Sequence, residues 1–297
     1  MGLFGKKDPC AICGGKVKGL LPWKIEGNLI CNECYGNVDL PKGATANMSL
    51  EAFKGYRMFR EENAQLKEKF QMTQQVNFGF FADQVAFDMT NRLFCRSASL
   101  DSTIFEGKNV KSFVIREDTA PLFEGSAAGL ISHTSKVPDR VTAMMPMIHQ
   151  VAMMKEKERQ AGGDNNTRYQ DIPEPFHKFV VEIYCEHPYW NCITIEKTGP
   201  TFNNSYPNAQ HYLRDYQEAA ESMGQLARAL MAVAFPGAPE QRLAQGMGQV
   251  VFAQSAAAAS VPAGDVVEEI QRFKTLVEQG IITEEEFAAK KRQLLGI

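Results

Sequence analysis

The sequence predicts a mixed α+β protein assembled from several small modules. Two Cys-x-x-Cys pairs lie near the N-terminus, the middle of the chain alternates apolar and polar residues as strands do, and helix-type periodicity flanks that middle. A chain of 297 residues is long enough for two or three modules. A net charge of −3 with 44% hydrophobic residues is ordinary for a globular protein and gives no general attraction to nucleic acid or anionic membrane.

The first module contains the four cysteines Cys10, Cys13, Cys31 and Cys34, with 17 residues between the two pairs. Each Cys-x-x-Cys turn aims two thiolates at one ion, and two such turns complete a tetrahedral shell. The segment MGLFGKKDPC has no apolar run of a secretory signal, so the cysteines are expected to stay reduced in the cytoplasm. This spacing then indicates metal binding before disulfides. We predict one structural Zn²⁺ ion in a four-cysteine zinc ribbon over residues 1–40.

Three other interpretations of the cysteines stay open. A catalytic zinc keeps one coordination position free, which four thiolates would fill. Redox chemistry of a Cys-x-x-Cys pair needs a βαβ context that the flanking sequence lacks. A nucleic-acid-binding ribbon needs many phosphate contacts, whereas residues 1–40 contain five lysines, four acidic residues and no arginine. The spacing therefore favours the structural ion.

Residues 41–75 are predicted to form a linker that is mostly one helix. The helix is expected from about Ser49 to Phe70, where apolar residues recur at roughly helical spacing. The other face mixes acidic and basic side chains, which is typical of a solvated helix.

Residues 76–236 are predicted to form a β-rich domain interrupted by an insertion at about 118–175. The composition of Asp88–Asn91 indicates a hairpin turn between two of the strands. A long helix over Tyr206–Phe235, with Ser205 as its N-cap, is expected to pack over the strands. The predicted strands are Gln84–Asp88, Arg92–Cys95, Lys108–Arg116, Lys178–Glu186 and Trp190–Glu196.

Two features of this domain have both a functional and a packing interpretation. The insertion contains a Met-rich helix, Asp139–Arg159, expected to break at Pro146; its methionines suit a docking surface, but gap-filling in a core is favoured. Cys185, His187 and Cys192, with His177 nearby, could form a metal or thiol site. Because no fourth ligand has suitable spacing and buried cysteines are common on strands, packing is again favoured.

The C-terminal part is predicted to be a flexible tether over 237–264, followed by a helical hairpin over 265–297. Asp265 with Glu268 and Thr283 with Glu286 form capping boxes, and Gly280 separates the two helices. So short a hairpin cannot hide all of its apolar residues, so they are expected to contact a protein partner or a second copy of the chain. These interaction residues are Ile270, Phe273, Leu276, Val277, Ile281, Phe287, Leu294 and Leu295.

The hairpin resembles the SHOCT domain, a short helical hairpin of bacterial proteins, through Gly280, Ile281, Ile282, Thr283, Glu286 and Phe287. The front of the chain is similar to an uncharacterised bacterial zinc-ribbon family that is often joined to SHOCT. The middle, through Ile104–Phe113 and the closing strand pair and helix, is similar to a pleckstrin-homology-like (PH-like) barrel. These resemblances imply an interaction or scaffold role and assign no reaction.

The function expected from the sequence is therefore a non-catalytic, zinc-binding scaffold of the bacterial cytoplasm that mediates protein–protein interaction or self-assembly. No nucleotide-binding, metalloprotease or serine-hydrolase motif is present, so the chain is not expected to be an enzyme. Two alternatives remain: a nucleic-acid-binding zinc-ribbon protein, against which the thin positive charge argues, and an envelope-stress protein that contacts the membrane peripherally through its PH-like middle.

Overall fold

The computed structural model describes residues 8–19, 21–36, 38–77, 84–96, 102–160, 172–203 and 205–242. They belong to one compact unit that combines helices with mainly antiparallel sheets, so the mixed α+β class is confirmed. Most of the tether and the whole hairpin at 265–297 lie outside the described residues. No helix in the described part of the chain is long and apolar enough to cross a membrane.

The N-terminal module, residues 8–48, is a small hairpin followed by helical turns. Strands β1 (Trp23–Ile25) and β2 (Asn28–Ile30) pair antiparallel around Glu26 and Gly27. Both turn residues have positive φ, 49° and 77°, as a tight two-residue hairpin turn requires. Helix α1 (Asn32–Tyr35) follows directly.

Helix α2 (Leu50–Lys69) confirms the helix predicted for the linker. Ser49 caps it, since its hydroxyl accepts a hydrogen bond from the Ala52 amide at 3.1 Å. The buried side chains of α2 are Phe53, Tyr56 and Asn63, and they lie on one side at helical spacing. That side packs against the N-terminal module at one end and against the β-rich domain at the other.

The β-rich domain contains two sheets. The smaller is a four-stranded antiparallel meander, and the predicted turn at Asp88–Asn91 connects its second and third strands. The Asp88 carboxylate accepts a hydrogen bond from the Asn91 amide at 2.9 Å, which is the local chemistry that makes the turn predictable. Its strands are β3 (Gln74–Asn77), β4 (Gln84–Asp88), β5 (Leu93–Cys95) and β6 (Phe105–Glu106).

The larger sheet contains six strands: β7 (Val110–Glu117), β8 (Ala120–Ser126), β9 (Gly129–Ser132), β10 (Lys178–Cys185), β11 (Cys192–Thr198) and β12 (Glu240–Arg242). Their order in the sheet is β11-β10-β7-β8-β9-β12. Neighbouring strands are antiparallel except that β12 runs parallel to β9. A strand before residue 118 pairs with one after residue 176, since Ile115 of β7 opposes Val181 of β10.

Three features of the structure differ from what the sequence predicted. The segment expected as an insertion at 118–175 supplies β8 and β9, so the sheet is interrupted only after Ser132. Helix α3 (Val137–Gln160) continues through Pro146 and does not break there. Its buried residues hold it in place on both sides of the proline, so packing compensates for the hydrogen bond that proline cannot donate. The tether expected from residue 237 begins later, because β12 pairs with the sheet.

Helix α4 (Ala209–Ala234) packs across both sheets and completes the core. It starts later than predicted: Asn208, not Ser205, is the N-cap, and its side-chain oxygen accepts from the amides of Gln210 and His211 at 2.8 and 3.0 Å. Residues of both sheets and of α4 form one continuous hydrophobic cluster, with Phe87, Phe113 and Leu230 at most 2% exposed.

Candidate metal centre

The four predicted cysteines converge in the N-terminal module. The sulfur atoms of Cys10, Cys13, Cys31 and Cys34 all lie within 4.8 Å of one another, and the Sγ atoms of Cys13 and Cys31 are 3.7 Å apart. The first pair lies in a turn before β1, and the second spans the start of α1, directly after β2. The β1–β2 hairpin thus brings the two pairs together across 17 intervening residues.

Backbone hydrogen bonds shape the first cysteine turn. The Gly14 amide donates to the Cys10 carbonyl, and the Cys10 amide donates to the Gly15 carbonyl, each at 2.8 Å. Gly14 has a φ of +70°, a conformation that favours glycine. A Cβ atom at Gly15 would approach the Cys13 sulfur to 3.2 Å, so a glycine there leaves space beside a ligand atom.

Three of the four cysteines are buried. Cys10, Cys31 and Cys34 are buried, whereas Cys13 is exposed. Burial raises the pKa of Cys10, but backbone amides around the sulfur, including the Cys31 amide that donates to it at 3.3 Å, outweigh burial and lower that pKa to about 6. The pKa of Cys34 is raised by burial and by the neighbouring cysteines.

This donor set fits a single metal ion. Thiolate is the ligand form of cysteine, and amides that donate to sulfur stabilise that form. Four sulfur ligands complete a tetrahedral shell and leave no position for water or substrate, which is the arrangement of a structural site. When bound, such an ion would cross-link the two cysteine turns.

The metal centre shares its hydrophobic core with α2. Ile25 and Ile30 of the hairpin are fully buried and belong to one cluster with Phe53 and Tyr56 of α2. The guanidinium of Arg57 donates to the carbonyl of the ligand residue Cys34 at 2.9 Å. The second cysteine turn is therefore fixed by helix α2 as well as by its own backbone.

The same helix connects the centre to the β-rich domain. The Tyr56 hydroxyl accepts from the Asp39 amide at 2.7 Å, and the Asp39 carboxylate accepts from the Thr103 amide at 2.7 Å. The ring of Tyr56 also packs edge-on against the ring of Tyr189 in the β-rich domain, with the ring centroids 5.1 Å apart. These contacts could not be predicted from a sequence motif, because they join residues that are distant along the chain.

The second group of candidate ligands does not form a metal cluster. Among the residues that the structure describes, only the four N-terminal cysteines gather as three or more potential ligands. Cys185 is buried, and burial raises its pKa to about 12. The Nδ1 atom of His187 accepts from the amides of Tyr189 and Trp190, both at 3.2 Å, and so shapes the turn between β10 and β11. Burial lowers the pKa of His187, which favours the neutral ring that this turn requires.

Two short family profiles match the chain, one near each end. Residues 9–54 match a domain of unknown function, DUF4428, which spans the four cysteines and runs into the first turn of α2. Residues 268–295 match SHOCT, the short C-terminal domain. The chain carries a SHOCT domain. Neither the curated proteins nor the solved structures contain a match to the chain.

The eight apolar residues predicted to contact a partner all fall within the SHOCT match. All eight lie outside the described residues, so their role stays a prediction.

Proposed function

We propose that this protein is a non-catalytic scaffold that binds one structural Zn²⁺ ion and associates with a protein partner, or with a second copy of itself, through its SHOCT hairpin. The observation that carries the proposal is the convergence of four sulfurs into one closed set, attached through α2 to a large β-rich domain. Zinc suits this set because it accepts tetrahedral thiolate ligands without redox chemistry.

The organisation of the chain supports the scaffold role. The two matched segments are short and lie on either side of more than 200 residues, from Gly55 to Val267, that match neither profile. The SHOCT match covers residues 268–295, too few to build a stable core without further contacts. A partner surface would cover the apolar residues that the hairpin cannot bury by itself.

We also infer that the middle is PH-like. What supports this inference is the order of its elements: a four-stranded meander, then three consecutive antiparallel strands, and a long final helix that packs on both sheets. The pair β10–β11, which the sequence suggested as the closing strand pair of the barrel, would then be an addition to that plan, as would helix α3. A PH-like domain offers surfaces for protein contact and needs no catalytic residues, in keeping with the scaffold role.

The test compares the full chain with a truncation lacking residues 265–297 and with Phe287→Asp. Light scattering should show a lower mass for both variants, or capture of a partner from the native cytoplasm should be lost, because a charge without a partner is strongly disfavoured in an apolar contact. Zinc content should stay at one ion per chain. Ala289→Asp is the matched control, since it lies two residues further on, across the predicted helix from Phe287. Unchanged mass and unchanged partners in both variants would contradict the proposal.

A further inference from the structure

An open groove of about 540 Å³ lies on the N-terminal module beside the metal centre. It runs between the β1–α1 side of the module and the loop that leads to α2. The residues that form its apolar and charged walls are Trp23, Tyr35, Val38, Leu40, Pro41 and Lys42. Tyr35 directly follows the ligand residue Cys34 along the chain, so a bound metal would hold this wall in place.

Two of the residues that line the groove, Trp23 and Tyr35, have stacked aromatic rings. The rings of Trp23 and Tyr35 lie 4.0 Å apart and within 7° of parallel. Tyr35 in turn stacks on the buried ring of Phe53, and its hydroxyl is 3.2 Å from that of Thr45. The side chain of Trp23 is 48% exposed, in spite of its stacking on Tyr35. The half-exposed indole of Trp23, packed on the ring of Tyr35, thus offers an aromatic surface to solvent.

Two polar side chains are available beside this surface. The carboxamide of Asn32 lines the groove, is exposed and makes no hydrogen bond within the described part of the chain. Lys42 is also exposed and has no ion pair among the described residues. None of the described residues that line the groove carries a carboxylate. Its charge therefore complements an acidic ligand.

We propose that this groove binds an extended segment of a partner protein, in which a proline ring packs on the indole of Trp23 and a neighbouring carboxylate pairs with Lys42. Proline-containing segments suit aromatic grooves because their extended conformation is formed before binding and leaves backbone carbonyls free. The Asn32 carboxamide would donate to one of those carbonyls. This inference rests on the proposed scaffold role for the class of partner and adds a second, separate contact site.

The charge distribution favours a peptide over a single-stranded nucleic acid, although a base could also stack on Trp23. Nucleic-acid grooves follow the phosphate backbone with several cations. Within the described lining of this groove, Lys42 is the one cation, beside the apolar side chains of Val38, Leu40 and Pro41. One pairing charge and several apolar contacts match a short acidic, proline-containing segment.

The experiment selects linear peptides from a random displayed library on the zinc-loaded full chain. The enriched peptides should contain proline beside aspartate or glutamate. A fluorescein-labelled synthetic copy should lose affinity at least about tenfold with Trp23→Ala and with Lys42→Glu, the loss typical of a central interface residue. Asn32→Ala should weaken binding less. Binding should also change the emission of Trp23, because the second tryptophan, Trp190, is buried.

The controls separate binding from folding. Each variant should retain one zinc per chain, and Lys157→Glu, on the exposed surface of α3, should leave the affinity unchanged. The proposal is overturned if no such peptides are enriched, if they bind Trp23→Ala equally well, or if labelled oligothymidine binds in their place and loses affinity with the same variants. Removal of residues 265–297 should not alter peptide affinity, so failure of the groove and failure of the hairpin association can be told apart.

Discussion

The side-chain amide of Asn63 pairs with the backbone of Ile104 through two hydrogen bonds. Asn63 Nδ2 donates to the Ile104 carbonyl at 2.8 Å, and the Ile104 amide donates to Asn63 Oδ1 at 2.9 Å. The asparagine is 5% exposed although it lies on a helix whose other side faces solvent. Its carboxamide therefore bonds the N–H and the C=O of Ile104 as a neighbouring strand would, and it joins α2 to the segment that leads into β6.

We expect Asn63→Ala to lower the free energy of unfolding by about 2–4 kcal/mol, because it leaves the buried amide and carbonyl of Ile104 without partners. Denaturant unfolding followed by circular dichroism measures the change. Gln65→Ala, at an exposed position of the same helix, is the matched control and should stay within about 0.5 kcal/mol of the wild type. Equal stabilities of the two variants would show that the pair does not hold α2 in place.

Gly107 marks a second close contact, between the turn after β6 and the end of α4. A Cβ atom at this position would lie 2.3 Å from the Val233 carbonyl oxygen, and a backbone atom cannot rotate away. The same oxygen accepts from Arg92 Nε at 2.9 Å, so displacing it also disturbs that hydrogen bond. We expect Gly107→Ala to destabilise the protein by about 2–4 kcal/mol.

The control for this substitution is Gly224→Ala within α4. There the nearest atom to a new Cβ is Phe123 Cζ at 3.4 Å, an ordinary contact, and alanine favours helix by about 0.5–1 kcal/mol over glycine. Thermal melts should place Gly107→Ala below and Gly224→Ala at or above the wild type. The reverse order would contradict the packing at the C-terminal end of α4.

Features set by nearby residues were predictable from the sequence. The cysteine cluster follows from spacing alone, because a Cys-x-x-Cys turn can aim both sulfurs at one point. The hairpin turn at Asp88–Asn91 follows from the tendency of aspartate to bond the amide of a residue just after it. The cap of α2 at Ser49 is equally local.

Features set by distant residues were not predictable. Pro121, Gly125 and Gly129 gave β8 and β9 the composition of a loop. Gly125 is in fact required within the sheet, because a Cβ atom there would lie 2.2 Å from the ring of Phe113. Only the folded sheet shows that the missing side chain is a packing solution. The Trp23 groove likewise depends on a loop that folds back on the N-terminal module, and no local sequence pattern predicts that fold.

A buried acidic group makes the stability depend on pH. Glu117 is 7% exposed and accepts hydrogen bonds from the hydroxyls of Tyr216 and Ser135. Burial nevertheless raises its pKa above the ordinary value of 4.5. The folded protein then binds more protons than the unfolded chain above that value, so the free energy of unfolding falls as pH rises through the raised pKa. Burial raises the pKa of Glu174 too, and its contribution has the same sign.

We expect Glu117→Gln to remove its share of this dependence, since an amide stays neutral at every pH. Relative to the wild type, the variant should therefore gain stability as the pH is raised from about 5 to about 8. Denaturant unfolding at both pH values measures the gain. Glu218→Gln, exposed on α4, should show no such change. If Glu117→Gln and the wild type keep a constant difference, Glu117 does not titrate in that window.

The final prediction concerns the metal. We expect Cys31→Ser, or removal of the ion by a chelator, to abolish zinc binding and unfold the N-terminal module, because so small a core cannot hold itself without the ion. Cys192→Ser should retain one zinc per chain, since this half-buried thiol lies on β11, outside the cluster.

The effect should extend beyond the cysteines into α2. Phe53 and Tyr56 belong to the same core as Ile25 and Ile30, and Arg57 bonds the Cys34 carbonyl. Hydrogen exchange should therefore accelerate through the first half of α2 in Cys31→Ser, whereas β7 and β10, which pair with each other along their length, should keep their protection. Unchanged exchange in α2 after zinc loss would mean that the helix is held by the β-rich domain alone. Loss of protection in β7 and β10 as well would mean that the ion stabilises the whole compact unit.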